Sequence, residues 1–279
     1  MTTPTMTPTL EQTRAAWDDL ATRFDEFQTP LTIPLGQEAL QRANLRSGNR
    51  FLDVAAGSGG LAIPAARLGA QVVATDLAPK MVELLLARAR EEGLTNLEGN
   101  VMDGHSLDLE DDTFDVSGSL NGVSIFPDLK RGLRELVRVT KPGGRALIVA
   151  FGAPAKVEFL GFFLGAIRAA VPGFGLPANP PHNPFQVADP QKLRQELAEA
   201  GLTDVRVDTV TWSMKLQSAA HLWDFVTTGS PIGAGLVADL TPEQATGVRQ
   251  VLDGMLRERS GGSPTAVLNT EMNIGLGTK

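Results

Sequence analysis

The sequence predicts an α/β fold in which a doubly wound, mainly parallel sheet carries helical insertions. Between residues 50 and 152, short apolar runs alternate with segments of helical periodicity, which is typical of parallel strands joined by crossover helices. After residue 152 this alternation is interrupted twice. We therefore expect one domain over residues 10–279, with lid insertions at 153–188 and 217–267.

The composition allows one large domain and excludes several classes of protein. Of the 279 residues, 42% are apolar, which suffices for a sizeable core, and no apolar run reaches the length of a membrane span. The chain has no cysteine, so disulfides, thiolate zinc sites and a cysteine nucleophile are excluded. The net charge of −7 and the lack of a basic stripe argue against a nucleic-acid partner. We expect a cytoplasmic protein.

The first elements form an N-terminal helical cap over residues 10–45. Residues 1–9 lack the basic end and the apolar centre of a secretory signal, and we expect a disordered tail there. A helix over 10–27 follows, because four large apolar residues recur on one of its faces. These residues are Trp17, Leu20, Phe24 and Phe27.

The next elements alternate regularly up to residue 152. Each predicted strand is an apolar or β-branched run, and the predicted helices end at Gly69, at Gly93 and at Pro142-Gly143-Gly144. The predicted strands cover residues 50–57, 71–76, 96–103, 113–120 and 145–152. The predicted helices cover residues 60–70, 79–93 and 129–144.

The last third of the chain holds both insertions. Residues 153–188 are rich in Phe, Gly and Pro and fit no strand–helix unit. A helix then begins at Asp189 as N-cap, and the segment Thr241-Pro242-Glu243-Gln244 is a capping box that starts a helix in the second insertion. The remaining strands are expected at 204–216 and 269–277.

The end of the first strand carries the clearest binding signal. It leads into a turn, Gly57-Ser58-Gly59-Gly60, that places bare backbone N–H groups at a helix N-terminus. Asp76 ends the second strand, where a carboxylate can accept hydrogen bonds from a ribose diol, and Asp103 ends the third, where it can accept from an adenine amine. Asp53 suits a cationic amino group better than a pyrophosphate, which it would repel.

Two other function classes are compatible with this turn. Residues 57–62 fit the dinucleotide fingerprint G-x-G-x-x-A, so an NAD(P)-dependent oxidoreductase is one alternative. That match is weak, because many such turns contain glycine for steric reasons, and a catalytic Tyr-x-x-x-Lys is absent from a chain without tyrosine. A non-catalytic cofactor-binding module on the same fold is the other alternative.

Five segments, in order and spacing, resemble the class I S-adenosylmethionine-dependent methyltransferases. The resemblance is greatest to the type 11 group, typified by enzymes of ubiquinone and menaquinone biosynthesis. It implies a Rossmann-like, seven-stranded sheet with an antiparallel last strand, S-adenosylmethionine as cofactor, and methyl transfer to a small molecule. The matching segments are residues 51–62, 72–83, 100–103, 112–128 and 133–152.

The resemblance also implies which residues hold the cofactor. The methionine moiety would be surrounded by Asp53, Ala55, Gly57, Ser58 and Gly59. The nucleoside would meet Asp76, Leu77, Met81, Met102 and Asp103, and the sulfonium would lie above Ser119 and Leu120. This sequence departs from the family pattern at Ala55, where glycine is commonest, at Ala78, where serine often caps the helix, and at Phe24, where tyrosine is frequent.

The acceptor and the catalytic groups are less clearly indicated. An aromatic lid beside the cofactor favours an apolar or aromatic acceptor, and the candidate substrate contacts are Phe24, Asn121, Phe162 and Phe163. His182 and His221 are the candidate general bases, whereas His105 is expected to be structural or exposed. The three histidines lack ligand spacing, so no metal site is predicted.

The tetrapeptide Asn179-Pro180-Pro181-His182 looks like the Asn-Pro-Pro-aromatic motif of enzymes that methylate amino groups. In those enzymes the motif follows the fourth strand, a place that Ser119-Leu120-Asn121-Gly122 takes in this chain. Here the tetrapeptide lies in the first insertion instead. We therefore interpret it as a proline turn that shapes a loop.

Overall fold

The computed structural model describes residues 8–176, 180 and 182–279, and its strands form one seven-stranded sheet. The strands are β1 Arg50–Val54, β2 Gln71–Asp76, β3 Leu97–Val101, β4 Phe114–Leu120, β5 Thr140–Phe151, β6 Thr203–Leu216 and β7 Ala266–Thr278. Their order is β3-β2-β1-β4-β5-β7-β6, and β7 runs antiparallel to both β5 and β6. The predicted sheet with its antiparallel last strand is confirmed.

Ten α-helices lie in the described part of the chain. They are α1 Leu10–Phe27, α2 Thr29–Arg42, α3 Ala62–Arg67, α4 Pro79–Glu91, α5 Leu129–Val139, α6 Glu158–Ala170, α7 Pro190–Glu199, α8 Ala219–Gly229, α9 Pro231–Gly235 and α10 Pro242–Arg259. None of these helices is long and apolar enough to span a membrane. Residues 1–7, and with them most of the predicted tail, lie outside the described residues.

Both faces of the sheet are covered by helices. Because successive side chains of a strand point to opposite faces, Leu147 joins one buried cluster while Ile148 joins the other. The first cluster includes side chains of α2, α3, α6, α8 and α10, and the second includes side chains of α5 and α7. This two-sided burial explains why the central strands are almost continuously apolar.

The predicted helix caps are present. Asp189 accepts a hydrogen bond from the backbone N–H of Gln191 at the start of α7, and Thr241 and Gln244 form the capping box of α10. The second insertion thus contains α10 as predicted, together with α8 and α9. An unpredicted capping box of Thr9 and Gln12 starts α1, so the ordered chain reaches into the segment that the sequence assigned to the tail.

The boundary between α5 and β5 differs from the prediction. The sequence predicts a helix to residue 144, but α5 ends at Val139 and β5 begins at Thr140. The prediction was wrong because a proline disfavours helical backbone at the residue before it. Pro142 therefore cannot be the last residue of the helix, which has to end upstream of it. The chain is already extended at Thr140, with φ −76° and ψ 137°.

Candidate cofactor and substrate site

The glycine turn after β1 has a backbone that only glycine adopts easily. Gly57 and Gly59 have φ of 54° and 112°. A Cβ at Gly59 would lie 2.6 Å from the side chains of Ile63 and Leu85, and one at Gly57 would lie 3.1 Å from the ring of Phe24. The turn therefore needs glycine both for its conformation and for the close approach of its neighbours.

Asp76 ties this turn to the end of β2. Its Oδ2 accepts a hydrogen bond from the backbone N–H of Gly57 at 2.8 Å, and its Oδ1 accepts from Ala78 at 2.9 Å. Burial raises the pKa of Asp76, and the backbone donors lower it only in part. The carboxylate is thereby fixed at the carboxyl edge of the sheet, where the resemblance places the ribose.

Asp53 is held inside the fold. It is 1% exposed, and its Oδ2 accepts a hydrogen bond from the backbone N–H of Ala62 at 2.9 Å, near the start of α3. Burial raises the pKa of Asp53 well above its usual range, because the charged form loses its hydration there. Its contact in this structure is thus with the start of α3, directly after the glycine turn. Its role toward a cofactor amino group stays a prediction.

Ala55 carries backbone strain at the start of the turn, with φ of 55°. Left-handed backbone costs an L-residue about 1–2 kcal/mol, while glycine loses about 0.4–1 kcal/mol more entropy on folding. We expect Ala55→Gly to raise the free energy of unfolding by about 0.5–1 kcal/mol in urea denaturation. The matched control is Ala56→Gly. Ala56 does not have a left-handed backbone, so this substitution should lower the free energy of unfolding. A loss of stability in Ala55→Gly would contradict this assignment.

The residues at the end of β3 form a local network. Asp103 Oδ1 lies 2.7 Å from His105 Nδ1 and accepts from the His105 backbone N–H at 2.9 Å. The His105 ring lies 4.4 Å from the Phe126 ring, between centroids. Met102 is half-buried beside Asp103 and donates its backbone N–H to Asp76 O at 2.9 Å. His105 is therefore a structural residue that orients Asp103, in agreement with the sequence.

The end of β4 abuts the glycine turn. Ser119 is buried, donates to Val54 O at 2.7 Å and accepts from the Val123 backbone N–H at 2.9 Å. Its hydroxyl therefore joins β4 to β1. Leu120 is half-buried, and a Cβ at Gly60 would lie 3.9 Å from its Cδ1.

Helix α1 packs against the residues that follow β2 and against the start of α4. Met81 is 2% exposed and packs in one cluster with Ala21 and Phe24. Leu77, four residues earlier in the chain, is half-buried. Asp18 of α1 accepts from the backbone N–H of Lys80 at 2.7 Å, in the first turn of α4. The N-terminal helix thus packs directly on the elements that the resemblance assigns to the nucleoside.

Helix α2 contacts the turn even more closely, and the sequence did not identify it as a separate helix. A Cβ at Gly36 would lie 2.1 Å from Gly60 O, and the hydroxyls of Thr29 and Ser58 are hydrogen-bonded. The signal that indicates this helix is Pro30 near its start, a position that proline favours. Pro34 obscures the signal, because proline is unusual inside a helix.

Both candidate bases lie against aromatic residues of α1. The His182 ring stacks on Trp17 at 6.1 Å, and the His221 ring lies 6.0 Å from Phe27. Burial lowers the pKa of His182 to about 4 and also lowers that of His221. Both rings are therefore neutral at neutral pH. Asn179 and Pro181 lie outside the described residues, so the structure does not describe the complete tetrapeptide.

The first insertion contributes an aromatic cluster at the end of β5. The ring of Phe151, the last residue of β5, lies 5.9 Å from both Phe159 and Phe185, and Phe159 lies 5.1 Å from Phe225 of α8. Sequence reasoning assigned no role to Phe151, Phe185 or Phe225. A signal was present for two of these residues, because Phe151 directly precedes the predicted first insertion and Phe185 lies near its predicted end.

The two candidate lid phenylalanines are separated by the structure. Phe163 is 0% exposed and its ring lies 5.5 Å from Trp223, whereas Phe162 is half-buried. Adjacent positions of a helix point about 100° apart, so they cannot share one environment. As a correction to the sequence-based assignment, Phe163 packs in the core between α6 and α8. Phe162 stays a candidate substrate contact.

Comparison with known proteins agrees with the resemblance found in the sequence. Residues 52–148 match the family model described as a methyltransferase domain. An uncharacterized protein of Mycobacterium tuberculosis is 38% identical over 157 residues, which cover 56% of this chain and 54% of that protein. The demethylmenaquinone methyltransferase of Clavibacter sepedonicus is 36% identical over 149 residues, 51% of this chain and 59% of that enzyme.

The chain therefore spans about half the length of the curated relatives it matches. Among solved structures, phosphoethanolamine N-methyltransferase 2 of Haemonchus contortus, in complex with S-adenosyl-L-methionine, is similar with a TM-score of 0.53. The identity is 18%, and the match covers 88% of this chain and 52% of that one. At this identity the likeness shows the fold alone.

Proposed function

We propose that this chain, which carries a class I S-adenosylmethionine-dependent methyltransferase domain over residues 52–148, transfers a methyl group to a small apolar or aromatic molecule. The observation that carries the proposal is the alignment of three acidic strand ends with one glycine turn. Asp53 lies one residue before the end of β1, Asp76 ends β2 and Asp103 follows β3. Asp53 and Asp76 are hydrogen-bonded to the turn or its flanks.

The residues present fit this cofactor better than a dinucleotide. An ionised Asp53 would repel a pyrophosphate and attract an ammonium group, and a bound ammonium group would in turn offset the burial that raises the pKa of Asp53. We assign the methionine moiety to this turn, the ribose hydroxyls to Asp76, and the adenine to Met102 and Asp103.

The cofactor, when bound, supplies a methyl group on a sulfonium that is already an activated leaving group. The chain then needs to hold the acceptor in line and keep water out. Helices α1, α2 and α6 and the aromatic cluster around Phe151 are suited to this task, since they enclose the carboxyl edge with apolar side chains. His221 and His182 stay the candidate bases for an acceptor that loses a proton, but burial lowers the pKa of both, that of His182 to about 4, which makes His182 the weaker proton acceptor.

The apolar or aromatic character of the acceptor rests on the aromatic cluster. Phe151 and Phe185 are half-buried, and an apolar acceptor gains from contact with such rings. Phe24, Asn121 and Phe162 border the same edge or its covering helices and stay candidate contacts.

The test is direct binding followed by a turnover assay. We expect S-adenosylmethionine, and not NAD, to raise the melting temperature and to bind in calorimetry, because an ionised Asp53 beside the turn would repel a pyrophosphate. Release of S-adenosylhomocysteine with a panel of phenols, quinols and aromatic amines would then identify the acceptor. Stabilisation by NAD alone would favour an oxidoreductase. Tight S-adenosylmethionine binding without turnover on any acceptor would favour a non-catalytic module.

A further inference from the structure

The chain between α6 and α7 is held to the rest of the fold by tertiary contacts. Its described residues form turns but no helix or strand. We call residues 182–188 the strap. At one end the His182 ring stacks on Trp17 of α1, and at the other end Ala188 O accepts a hydrogen bond from Asn273 Nδ2 of β7 at 2.8 Å. The strap thus joins α1 to β7, and its position depends on the side chains that it meets.

Gln186 makes the polar contact in the middle of the strap. Its side-chain Nε2 donates hydrogen bonds to Ser124 O at 2.6 Å and to Phe126 O at 3.0 Å, both in the segment that follows β4. The preceding residue, Phe185, places its ring 5.9 Å from that of Phe151, in the aromatic cluster. Gln186 therefore fixes the strap directly beside the residues that we assign to the acceptor.

Phe126 extends this contact to the end of β3. A Cβ at Gly104 would lie 2.6 Å from its Cζ, and a Cβ at Gly132 would lie 2.6 Å from its Cδ2, so the ring is wedged between two stretches of backbone. The same ring lies 4.4 Å from the His105 ring, and His105 Nδ1 lies 2.7 Å from Asp103 Oδ1. Contacts thus run without a gap from the residue that we assign to the adenine to the strap.

The two carbonyl groups under the strap need the amide of Gln186. A carbonyl oxygen that is covered loses its hydrogen bond to water, and the loss is costly unless a donor of the protein replaces it. Gln186 Nε2 replaces it for both oxygens at once, but only when Ser124 and Phe126 are in their present places. The docked strap is therefore sensitive to the position of the Phe126 backbone.

We propose, on the basis of the proposed function, that Gln186 couples the two halves of the site, so that a bound cofactor docks the strap and completes the acceptor site. Adenine held by Asp103 would fix the rings of His105 and Phe126, and Gln186 would then meet both of its carbonyl partners. Ordering of one part of a protein by a ligand lowers the cost of ordering the part packed against it. The acceptor, which contacts Phe185, is then bound after the cofactor.

Gln186 is a positioning residue in this proposal, because it contacts neither ligand. Coupling between two sites is reciprocal, so a strap that docks more firmly on the cofactor complex also makes the cofactor bind more tightly. Loss of the coupling should therefore weaken cofactor binding, although Gln186 does not touch the cofactor. A glutamine that only holds the loop in place would leave cofactor affinity unchanged.

The experiment measures hydrogen–deuterium exchange of strap peptides in the full chain, with and without S-adenosylhomocysteine. The backbone N–H groups of Phe185 and Ala188 donate to Asn183 Oδ1 at 2.9 Å and to Phe185 O at 3.1 Å, so release of the strap exposes them to exchange. In the wild type we expect the ligand to slow exchange of the strap at least about fivefold, the lower end of the usual range of coupling.

Two variants of Gln186 separate hydrogen bonding from packing. Gln186→Met removes the donor and Gln186→Lys keeps one, on unbranched side chains of similar length. We expect Gln186→Met to lose the ligand-dependent slowing and to bind S-adenosylhomocysteine about fivefold more weakly in calorimetry, and Gln186→Lys to retain both properties. The matched control is Gln195→Met, which removes an exposed glutamine of α7 whose amide donates to Glu199 Oε1 at 2.7 Å. It should change neither measurement.

A third variant makes the test independent of how well Gln186→Met folds. Gln186→Glu keeps the shape of the side chain, but an ionised carboxylate donates no hydrogen bond, so this variant should also lose the slowing. Slowing and affinity equal to the wild type in either donor-free variant overturn the proposal. Equal losses in Gln186→Met and Gln186→Lys also overturn it, since packing would then be the cause. A wild type that binds S-adenosylhomocysteine without slowing of the strap overturns it and leaves the proposed function intact. A wild type that binds neither S-adenosylmethionine nor S-adenosylhomocysteine rejects the proposed function itself.

Discussion

Replacement of Asp76 by alanine is expected to weaken S-adenosylmethionine binding by about 10- to 150-fold, or about 1.5–3 kcal/mol, the range for hydrogen bonds that involve a charged group. This carboxylate has one role that the structure shows and one that we propose. It accepts hydrogen bonds from the backbone N–H groups of Gly57 and Ala78, and it is the group that we assign to the ribose hydroxyls. Its loss should therefore remove a ligand contact and loosen the glycine turn.

Calorimetry combined with urea denaturation separates these two effects. The matched control is Asp108→Ala, which removes an exposed carboxylate that has no hydrogen bond to any other described residue, and it should change neither affinity nor stability. Burial raises the pKa of Asp76, so its carboxylate takes up a proton at a higher pH than an exposed aspartate does. Cofactor affinity in the wild type should accordingly begin to fall as the pH is lowered through that raised pKa. An unchanged affinity in a folded Asp76→Ala variant would reject the placement of the ribose.

Truncation of Phe163 to alanine is expected to lower the free energy of unfolding by about 3–5 kcal/mol, as for other buried phenylalanines. Phe163 is 0% exposed, and its ring contacts Trp223 across the interface of α6 and α8. Because α6 also packs on α10 and β7, the cavity would lie at the junction of the two insertions with the sheet. The measurement is equilibrium denaturation followed by tryptophan fluorescence.

Phe162→Ala is the matched control, since it removes the same side chain one position away on the same helix. Phe162 is only half-buried, so its truncation should cost clearly less stability. Under the proposed function, it should instead raise the Michaelis constant of the acceptor and leave cofactor affinity unchanged. Equal losses of stability in the two variants would show that both side chains belong to the core, and the acceptor would then be held by other elements.

The order and type of most elements and the position of the glycine turn can be predicted from the sequence alone. These features depend on local signals, which are read without knowledge of the fold. The apolar periodicity of α1, the capping residues of α7 and α10, and the glycines after β1 each act within a few residues. Parallel strands in turn bring Asp53, Asp76 and Asp103 to one edge of the sheet, because their carboxyl ends meet there.

The tertiary structure alone decided which partner each side chain has. The hydroxyl of Ser58 meets Thr29, and His182 meets Trp17, although these pairs are far apart in the chain. Ser119 is held between β1 and the turn after β4, and Phe163 rather than Phe162 fills the core. Such contacts depend on how helices are placed on the sheet, and periodicity within one helix carries no information on what lies opposite.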